Sequence, residues 1–494
     1  MTQLQNGRPD AALGHQRPGA HRAGPRHARG RTAARRHPTR GLIAAISLPA
    51  VTLLNASALR RIARVVTRPG FARTVVHTAG FNVAAMFAAG LGGVVIARAV
   101  GPAVRGEYAA VTAWFAIVVM IGSMGQPVAV GFHVAREPLQ GHNYLATSRT
   151  MVLVTSVIVS VAGMLLAPVL AHGNASVTMA YRIVFGAVVV SVVGGTYTSS
   201  LCARKISRWN VARTVQPLIS LATILVVWRL GLLTLDVALV ILASTLLVQL
   251  CWSYWSCRRM GLTPGHASTA LVRPLAVYGA AQIAVLTPAA LNEQLDQLVL
   301  SQTVPAADLG RYAIAVSLTL LPLPLVSAIG YVAFPRLASE RELTPQTRRL
   351  QRSAILGSAG LAVMTLVPLA VVSPWLVPFV FGAAYRGVVP LVWILAPGSL
   401  FLTCGQVIGN LLGGRNHPGI VARAQGLALI STLAILFGLL PFLGVYAAAI
   451  ASTIAYGISA AFMLHGLLHL PKASSVTPTG GASEQMLVPE PSTI

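Results

Sequence analysis

Acidic side chains are scarce in this sequence. Its 494 residues include only four Asp and seven Glu, and charged residues make up 10% of the chain. Soluble domains carry about 25% charged residues. Because 55% of the residues are also hydrophobic, an ordinary soluble protein is excluded. The composition predicts a polytopic membrane protein.

Lysine is nearly absent as well, occurring only at positions 205 and 472. Arginine therefore supplies most of the net charge of +26. The positive charge lies in the amino-terminal tail and in short breaks between apolar runs. This placement is typical of a membrane protein that faces anionic lipid. Membrane lipids are expected partners, and nucleic acid is not.

Patterns typical of soluble enzymes and metal sites are missing. The chain has no HExxH, DxD or GxxxxGK[ST] pattern and no large soluble catalytic loop. Its cysteines form no CxxC pair and lie in or beside apolar runs, which predicts small hydrophobic fillers: Cys202, Cys251, Cys257 and Cys404. We therefore expect no enzyme activity, no metal site and no cofactor.

From residue 71 onward, apolar runs of about 20–25 residues alternate with short breaks that contain Arg, Gly and Pro. They predict twelve spans, near 77–99, 109–133, 149–171, 178–201, 211–230, 235–257, 274–303, 310–334, 353–375, 386–412, 420–440 and 444–469. Residues 1–70 are predicted to be a disordered basic arm with an interfacial or uncleaved segment at 42–59. Residues 472–494 are predicted to be a disordered tail.

Arginine and lysine are distributed unevenly between the breaks. Even-numbered breaks hold about 16 basic residues and odd-numbered breaks about 6. Positive residues concentrate in cytoplasmic loops. The sequence therefore predicts a multi-pass protein of the cytoplasmic (plasma) membrane with both termini in the cytoplasm.

A short internal repeat supports a duplicated architecture. Residues 100–109 and 304–313 match at an offset of 204, with Val, Gly, Tyr and Ala coinciding. Each segment joins the first and second spans of a six-span half. We expect an all-α fold with two parallel six-helix bundles, 71–259 and 260–471, around a central cavity.

The seventh span carries unusual polar residues. Glu293 and Asp296 are the only carboxylates inside a hydrophobic run, and they lie three residues apart on a helix. Pro288 removes a backbone hydrogen bond and permits a kink. Intramembrane carboxylates are costly and usually face protein or a wet cavity. One interpretation is the wall of a polar translocation path, and the alternative is a structural pair that locks two helices together.

Several short motifs, taken in order, resemble those of bacterial polysaccharide flippases. They lie at 97–102 (ARAVGP), 106–109 (GEYA), 295–298 (LDQL), 309–313 (LGRYA), 334–337 (FPRL) and 381–385 (FGAAY). The resemblance covers about residues 75–465 and points to the polysaccharide transport family of the multidrug/oligosaccharidyl-lipid/polysaccharide exporter superfamily. It implies flipping of undecaprenyl-diphosphate-linked sugars, with a lipid-linked sugar as substrate and a polysaccharide polymerase and glycosyltransferases as further partners.

Residues that suit this task share a polar or charged group in or beside an apolar span: Asn82, Arg98, Gln126, Gln282, Asn292, Glu293, Asp296, Gln406 and Asn410. Arg98 is the cationic candidate for a diphosphate, or else an interface anchor that reaches water. Glu293 and Asp296 are candidates for carrying a coupling proton or sodium ion. The amides could bind sugar hydroxyls or bond neighbouring helices.

Three other functions remain open from the sequence. The first is a cation-coupled multidrug exporter of the same superfamily, and the second is a peptidoglycan-precursor flippase. The third, from another class, is a membrane enzyme such as a sugar polymerase or glycosyltransferase. Assays of vesicles with dye and with lipid-linked sugar would separate the transporters.

Overall fold

The computed structural model describes residues 71–263, 265–327, 329–330, 345–415 and 417–469. Within these ranges the regular secondary structure is helical throughout. The predicted arm at 1–70, its segment at 42–59, the tail at 472–494 and the motif at 334–337 lie outside the described residues. The expected all-α membrane fold is confirmed.

Twelve α-helices have assigned bounds in the part of the chain that the structure describes. They are α1 Phe71–Ser123, α2 Gln126–Arg136, α3 Gly141–Leu170, α4 Ala175–Arg204, α5 Ile206–Arg229, α6 Leu235–Arg258, α7 Thr269–Thr303, α8 Ala306–Thr319, α9 Pro345–Phe381, α10 Val388–Gly414, α11 Pro418–Leu443 and α12 Val445–Leu468. A 3-10 turn at Ala383–Tyr385 separates α9 from α10.

Among the described residues, ten continuous helical segments are long and apolar enough to cross a membrane. The first, His77–Ser123, has 47 residues and would measure about 70 Å, more than twice a ~30 Å hydrocarbon core. It is therefore long enough for two spans. The bent helix α7 supplies one more. These segments agree with the expected count of twelve.

Glycine and proline lie at two breaks inside long helices. Within α1, Gly101 adopts φ 76° and ψ 175°, which is not helical and is accessible to glycine, and Pro102 then starts the second arm. The arms of α7, Thr269–Ile283 and Thr287–Thr303, meet at 54°. Pro288 lies one turn after this bend, where its ring lacks an N–H and crowds the carbonyl of residue 284. The predicted kink is confirmed.

Hydrogen bonds between the interhelical breaks show that the breaks lie at two ends of the helical bundle. The Gly101 end contains the breaks at 100–102, 171–174, 304–305 and 382–387; there Gln302 Nε2 donates to the Leu170 carbonyl at 3.4 Å. The Arg204 end contains the breaks at 137–140, 204–206 and 259–268; there Arg204 Nη2 donates to the Pro138 carbonyl at 2.6 Å.

Helix α7 packs against helices from both parts of the chain. Its first arm places Leu275 in a core cluster with Val130, Leu145 and Leu201, which belong to α2, α3 and α4. Its second arm approaches α11, where Asn292 bonds Gln425. The boundary predicted between residues 259 and 260 stays a prediction.

The early helices, α1–α6, and the late helices, α8–α12, join directly at the Gly101 end. One core cluster there combines Ala97 and Ala109 of α1 with Leu309 of α8 and Val388 of α10. Tyr385 donates its hydroxyl hydrogen bond to the Ala97 carbonyl at 2.9 Å. Apart from α7, extensive packing between α1–α6 and α8–α12 among the described residues involves only α1, which contacts α8, α9 and the 3-10 turn.

The tightest of these contacts joins the two copies of the internal repeat. A Cβ atom on Gly106 would overlap the carbonyl oxygen of Ala306, and a Cβ atom on Gly310 would overlap that of Pro102. These two helices can approach so closely because both positions lack a side chain. The repeat detected in the sequence thus lies at the junction of α1 and α8.

Candidate translocation site

The second arm of α7 brings the candidate carboxylates to the region where the early and late helices meet. Besides packing on α11, α7 contacts α1, α2 and α3 on one side and α8 and α12 on the other. Its apolar residues keep it in the bundle, as Leu300 is fully buried. The bend before Pro288 directs this arm away from the axis of the first arm.

Asp296 is buried and hydrogen-bonded to protein groups. Its side chain is 4% exposed. Oδ2 accepts hydrogen bonds from the Tyr312 hydroxyl and, at 3.4 Å, from Ser452 Oγ. Oδ1 accepts from the backbone N–H of Gln297 at 2.7 Å. This carboxylate therefore connects α7 to α8 and α12, as the structural interpretation required.

Glu293, one turn earlier, has a different environment. Its side chain is exposed, and no hydrogen bond or ion pair involving it is found among the described residues. Tyr456 lies close enough to interact electrostatically with both Glu293 and Asp296. A carboxylate that is both accessible and beside a buried one suits a water-filled path better than a dry helix contact.

Asn292 extends this polar group towards α11. Its Nδ2 donates to the carbonyl oxygen of Gln425 at 3.0 Å and to Gln425 Oε1 at 3.2 Å. Its Oδ1 is buried without a partner among the described residues. An unpaired buried acceptor is costly, and it leaves one amide atom free to bind a hydroxyl.

The other predicted site residues occupy separate places. Gln282 lies in the first arm of α7 and is half-buried, Asn82 is half-buried in α1, and Gln406 is exposed in α10. Asn410 packs against Gly330, and its Nδ2 is buried without a described partner. No described hydrogen bond brings these amides together with Glu293. The structure thus groups Asn292, Glu293 and Asp296, and it leaves the remaining candidates dispersed.

Two further candidates, Arg98 and Gln126, also have structural partners. Arg98 is exposed at the Gly101 end and its Nη1 donates to the carbonyls of Phe379 and Val380 at 3.2 and 3.3 Å. It therefore caps the last turn of α9. Gln126 is fully buried, donating to the Leu275 carbonyl at 3.2 Å and accepting from Ser148 Oγ at 3.1 Å. The residue joins α2, α3 and α7.

Sequence reasoning missed Tyr312, Ser452, Tyr456 and Gln425 as site residues. Tyr312 had a signal, because it belongs to the repeat that was already detected. Its counterpart at an offset of 204 is Tyr108, whereas the counterpart of Asp296 is Gly92. The buried carboxylate is therefore present only in the second repeat. Among the described residues, no group of His, Cys, Asp and Glu has an arrangement that could hold a metal ion.

A family model described as polysaccharide biosynthesis protein matches residues 71–340. The chain belongs to this polysaccharide biosynthesis family. The resemblance found in the sequence motifs is thereby confirmed.

Two curated relatives match this chain over part of their length. The lipopolysaccharide biosynthesis protein WzxC of Escherichia coli is 32% identical over 152 residues, 30% of this chain and 31% of WzxC. The probable low-salt glycan biosynthesis flippase Agl15 of Haloferax volcanii is 22% identical over 175 residues, 35% of this chain and 37% of Agl15. The chain therefore spans about a third of the length of each.

Solved structures share the fold of the family member. The lipid II flippase MurJ in an inward closed conformation gives a TM-score of 0.64 at 12% identity, covering 79% of this chain and 88% of MurJ. An inward-facing multidrug resistance MATE transporter of the MOP superfamily gives 0.60 at 13% identity, covering 82% and 97%. At such identities the likeness establishes the shared helical fold and nothing finer.

Proposed function

We propose that this protein flips an undecaprenyl-diphosphate-linked oligosaccharide across the cytoplasmic membrane for export of a cell-surface polysaccharide. The family match carries the substrate class, because a polysaccharide biosynthesis protein with a transporter fold needs a sugar cargo. The names of WzxC and Agl15 point the same way. The transport role, in place of an enzymatic one, rests on the same similarities.

The path runs between α1–α6 and α8–α12, along the second arm of α7. The exposed Glu293 beside the buried Asp296 supports this placement, because a charged side chain at that depth needs water or polar cargo. A lipid-linked sugar would place its headgroup in this wet region and its polyprenyl tail in the bilayer. Asn292, Gln282, Asn82, Gln406 and Asn410 are proposed contacts for sugar hydroxyls, and Arg98 for the diphosphate.

Alternating access would open the two ends in turn. The early and late helices join at the Gly101 end, so the cargo enters from the Arg204 end in this conformation. The charge bias of the loops assigns the Arg204 end and both termini to the cytoplasm. A reporter fused after Pro471 tests this orientation, and an external signal would reverse it.

Asp296 and Glu293 are proposed to couple flipping to a proton or sodium ion. Three oxygen atoms lie close together here: the Tyr312 hydroxyl, Ser452 Oγ and Asp296 Oδ2. Loading an ion there would neutralise the buried charge and weaken the link between α7, α8 and α12. All three helices belong to the second repeat, so release of this link would let α7 shift relative to α8 and α12.

Reconstituted vesicles give the decisive test. Purified protein is incorporated with a fluorescent undecaprenyl-diphosphate oligosaccharide, and a membrane-impermeant reagent reports the fraction that reaches the opposite leaflet. We expect protein-dependent movement of the lipid-linked sugar. Vesicles loaded with a cationic dye test the multidrug exporter, which the MATE-like fold favours as a second candidate, and lipid II tests the peptidoglycan alternative. Movement of dye alone would overturn the proposal.

A further inference from the structure

A cavity lies away from the proposed path, at the Arg204 end of the early helices. Its volume is about 490 Å³, within the range of small-molecule sites. The start of α1, the end of α4 and the start of α5 form its wall, and it is open on one side. The lining residues are His77, Phe81, Cys202, Ala203, Arg204, Lys205, Ile206, Ser207 and Asn210. No described residue of α7–α12 contributes, so the cavity lies outside the proposed sugar path.

The electrostatics of the lining favour an anion. Arg204 and Lys205 are both exposed in the cavity wall, and none of the nine lining residues is acidic. Helix α5 has 24 residues and starts at Ile206 without a side-chain cap. Ile206 and Ser207, the first two residues of this helix, line the cavity, and their N–H groups make no hydrogen bond within the helix. An uncapped helix N-terminus attracts a phosphate group.

Asn210 gives a second, independent indication of a ligand. Its side chain is 2% exposed and lines the cavity. Nδ2 donates to Thr78 Oγ1 at 2.8 Å, whereas Oδ1 is buried with no partner among the described residues. Exchanging the amide's oxygen and nitrogen would still leave one atom unpaired. A ligand that carries a hydroxyl group would satisfy it in either orientation.

The ligand must also suit a membrane boundary. Two candidate spans, Ala175–Arg204 and Ile206–Arg229, end and begin at this cavity. Phe81, Ala203 and Ile206 add apolar surface to the basic wall. A lipid whose phosphate carries a hydroxylated headgroup matches both surfaces, while inorganic phosphate would use only the polar one.

We propose that this cavity binds the headgroup of an anionic phospholipid, with the phosphate at Lys205 and the α5 N-terminus and a headgroup hydroxyl at Asn210. The lipid would fasten α1 to α4 and α5. This site does not depend on the proposed flipping activity or on the orientation of the protein. Its failure and the failure of the transport proposal are therefore distinguishable.

Native mass spectrometry of the detergent-purified protein tests the proposal with phosphatidylglycerol as the probe. We expect one retained phosphatidylglycerol and no comparable retention of phosphatidylcholine. Lys205→Gln should weaken retention about fivefold, because one lysine near an anionic lipid contributes about 1 kcal/mol. Arg258→Gln is the matched control, since it removes a cation from the same end but outside the cavity, and retention should stay unchanged. Equal losses in the two variants would reduce the effect to general surface charge and overturn the site.

Cys202 provides a second readout, because it is exposed in the cavity wall. In a variant that keeps Cys202 alone, phosphatidylglycerol in nanodiscs should slow maleimide alkylation about fivefold relative to phosphatidylcholine. A single cysteine introduced by Ala267→Cys, exposed before α7, reports the general effect of an anionic surface and should show a smaller change. Equal slowing at the two positions would contradict the proposal. So would equal protection of Cys202 by inorganic phosphate in phosphatidylcholine nanodiscs, which would assign the site to a free anion.

Discussion

Gly106 and Gly310 occupy equivalent positions in the internal repeat and lie against each other where α1 crosses α8. The contact is reciprocal. Gly106 faces the carbonyl of Ala306, and Gly310 faces the carbonyl of Pro102, which are again equivalent at an offset of 204. Such a reciprocal arrangement is the local signature of a two-fold axis. It supports parallel repeats related by an axis along the membrane normal.

The close packing of α1 on α8 at the Gly101 end should depend on the absence of side chains at Gly106 and Gly310. In Gly310→Ala the new Cβ atom would overlap the Pro102 backbone, and the helices must separate. We expect a loss of about 1–3 kcal/mol, the usual cost of overpacking, seen as a lower unfolding temperature in detergent.

Gly426→Ala is the control for this experiment. It lies inside α11 and its Cβ atom would enter open space, so helix propensity predicts unchanged or slightly higher stability. Equal unfolding temperatures for wild type and Gly310→Ala would show that the crossing is loose.

Asp296→Asn should separate the ionic role of Asp296 from its structural role. The amide oxygen still accepts from Tyr312 and Ser452, and only the hydrogen bond from the Gln297 N–H to Oδ1 is lost, so the protein should reach the membrane at close to wild-type levels. Loss of the titratable charge should slow flipping roughly tenfold, equivalent to about 1.4 kcal/mol in the barrier. The vesicle assay and complementation of a deletion strain measure this effect.

Asp308→Asn is the matched control for the loss of a carboxylate. Asp308 is part-exposed and pairs with Arg311 at 2.7 Å, a pair of the kind that contributes at most about 1 kcal/mol. Flipping should be little affected. Full complementation by Asp296→Asn would leave Asp296 with a structural role only.

Pro288→Ala should straighten α7. Restoring the N–H group and removing the ring allow the helix to continue through residues 284–287. Spin labels at Val272 and Thr303, near the two ends of α7, should then move about 5 Å further apart, given the 54° bend and a rise of about 1.5 Å per residue. Pulsed electron resonance measures the distance.

Pro274→Ala is the control in the same helix, because Pro274 lies in the first arm, away from the bend. The distance between the labels should not change there. An unchanged distance in Pro288→Ala would mean that neighbouring helices impose the bend without help from the proline.

Arg98→Gln should distinguish capping from recognition of a diphosphate. Glutamine still offers an N–H donor to the carbonyls of Phe379 and Val380 but carries no charge. Because glutamine keeps a donor for these carbonyls but removes the charge proposed to bind the diphosphate, we expect near-normal stability and slower flipping, whereas Arg98→Ala should also lower the unfolding temperature. Normal flipping in Arg98→Gln would leave Arg98 with the capping role alone. A strong flipping defect with normal stability in Arg98→Gln would establish a role in binding the phosphate.

The hydrophobic runs made most of the fold predictable. Membrane spans are set by length and polarity along the chain, so the pattern after residue 71 located them without knowledge of contacts. The break at Gly101 and the bend before Pro288 were also readable, since backbone freedom and the proline ring act locally. The sequence placed Glu293 and Asp296 on one helix, three residues apart. It could not show that Asp296 is buried and Glu293 is exposed.

The sequence by itself determined that this is a multi-pass membrane protein with a duplicated joint and two carboxylates in one span. Only the tertiary structure decided that Asp296 is bonded to Tyr312 and Ser452 while Glu293 stays exposed, and that Arg98 caps α9. Polarity and helix breaks act over a few neighbouring residues, whereas these partners lie up to 282 positions away in the chain. Helix packing brings them together, and no local pattern encodes it.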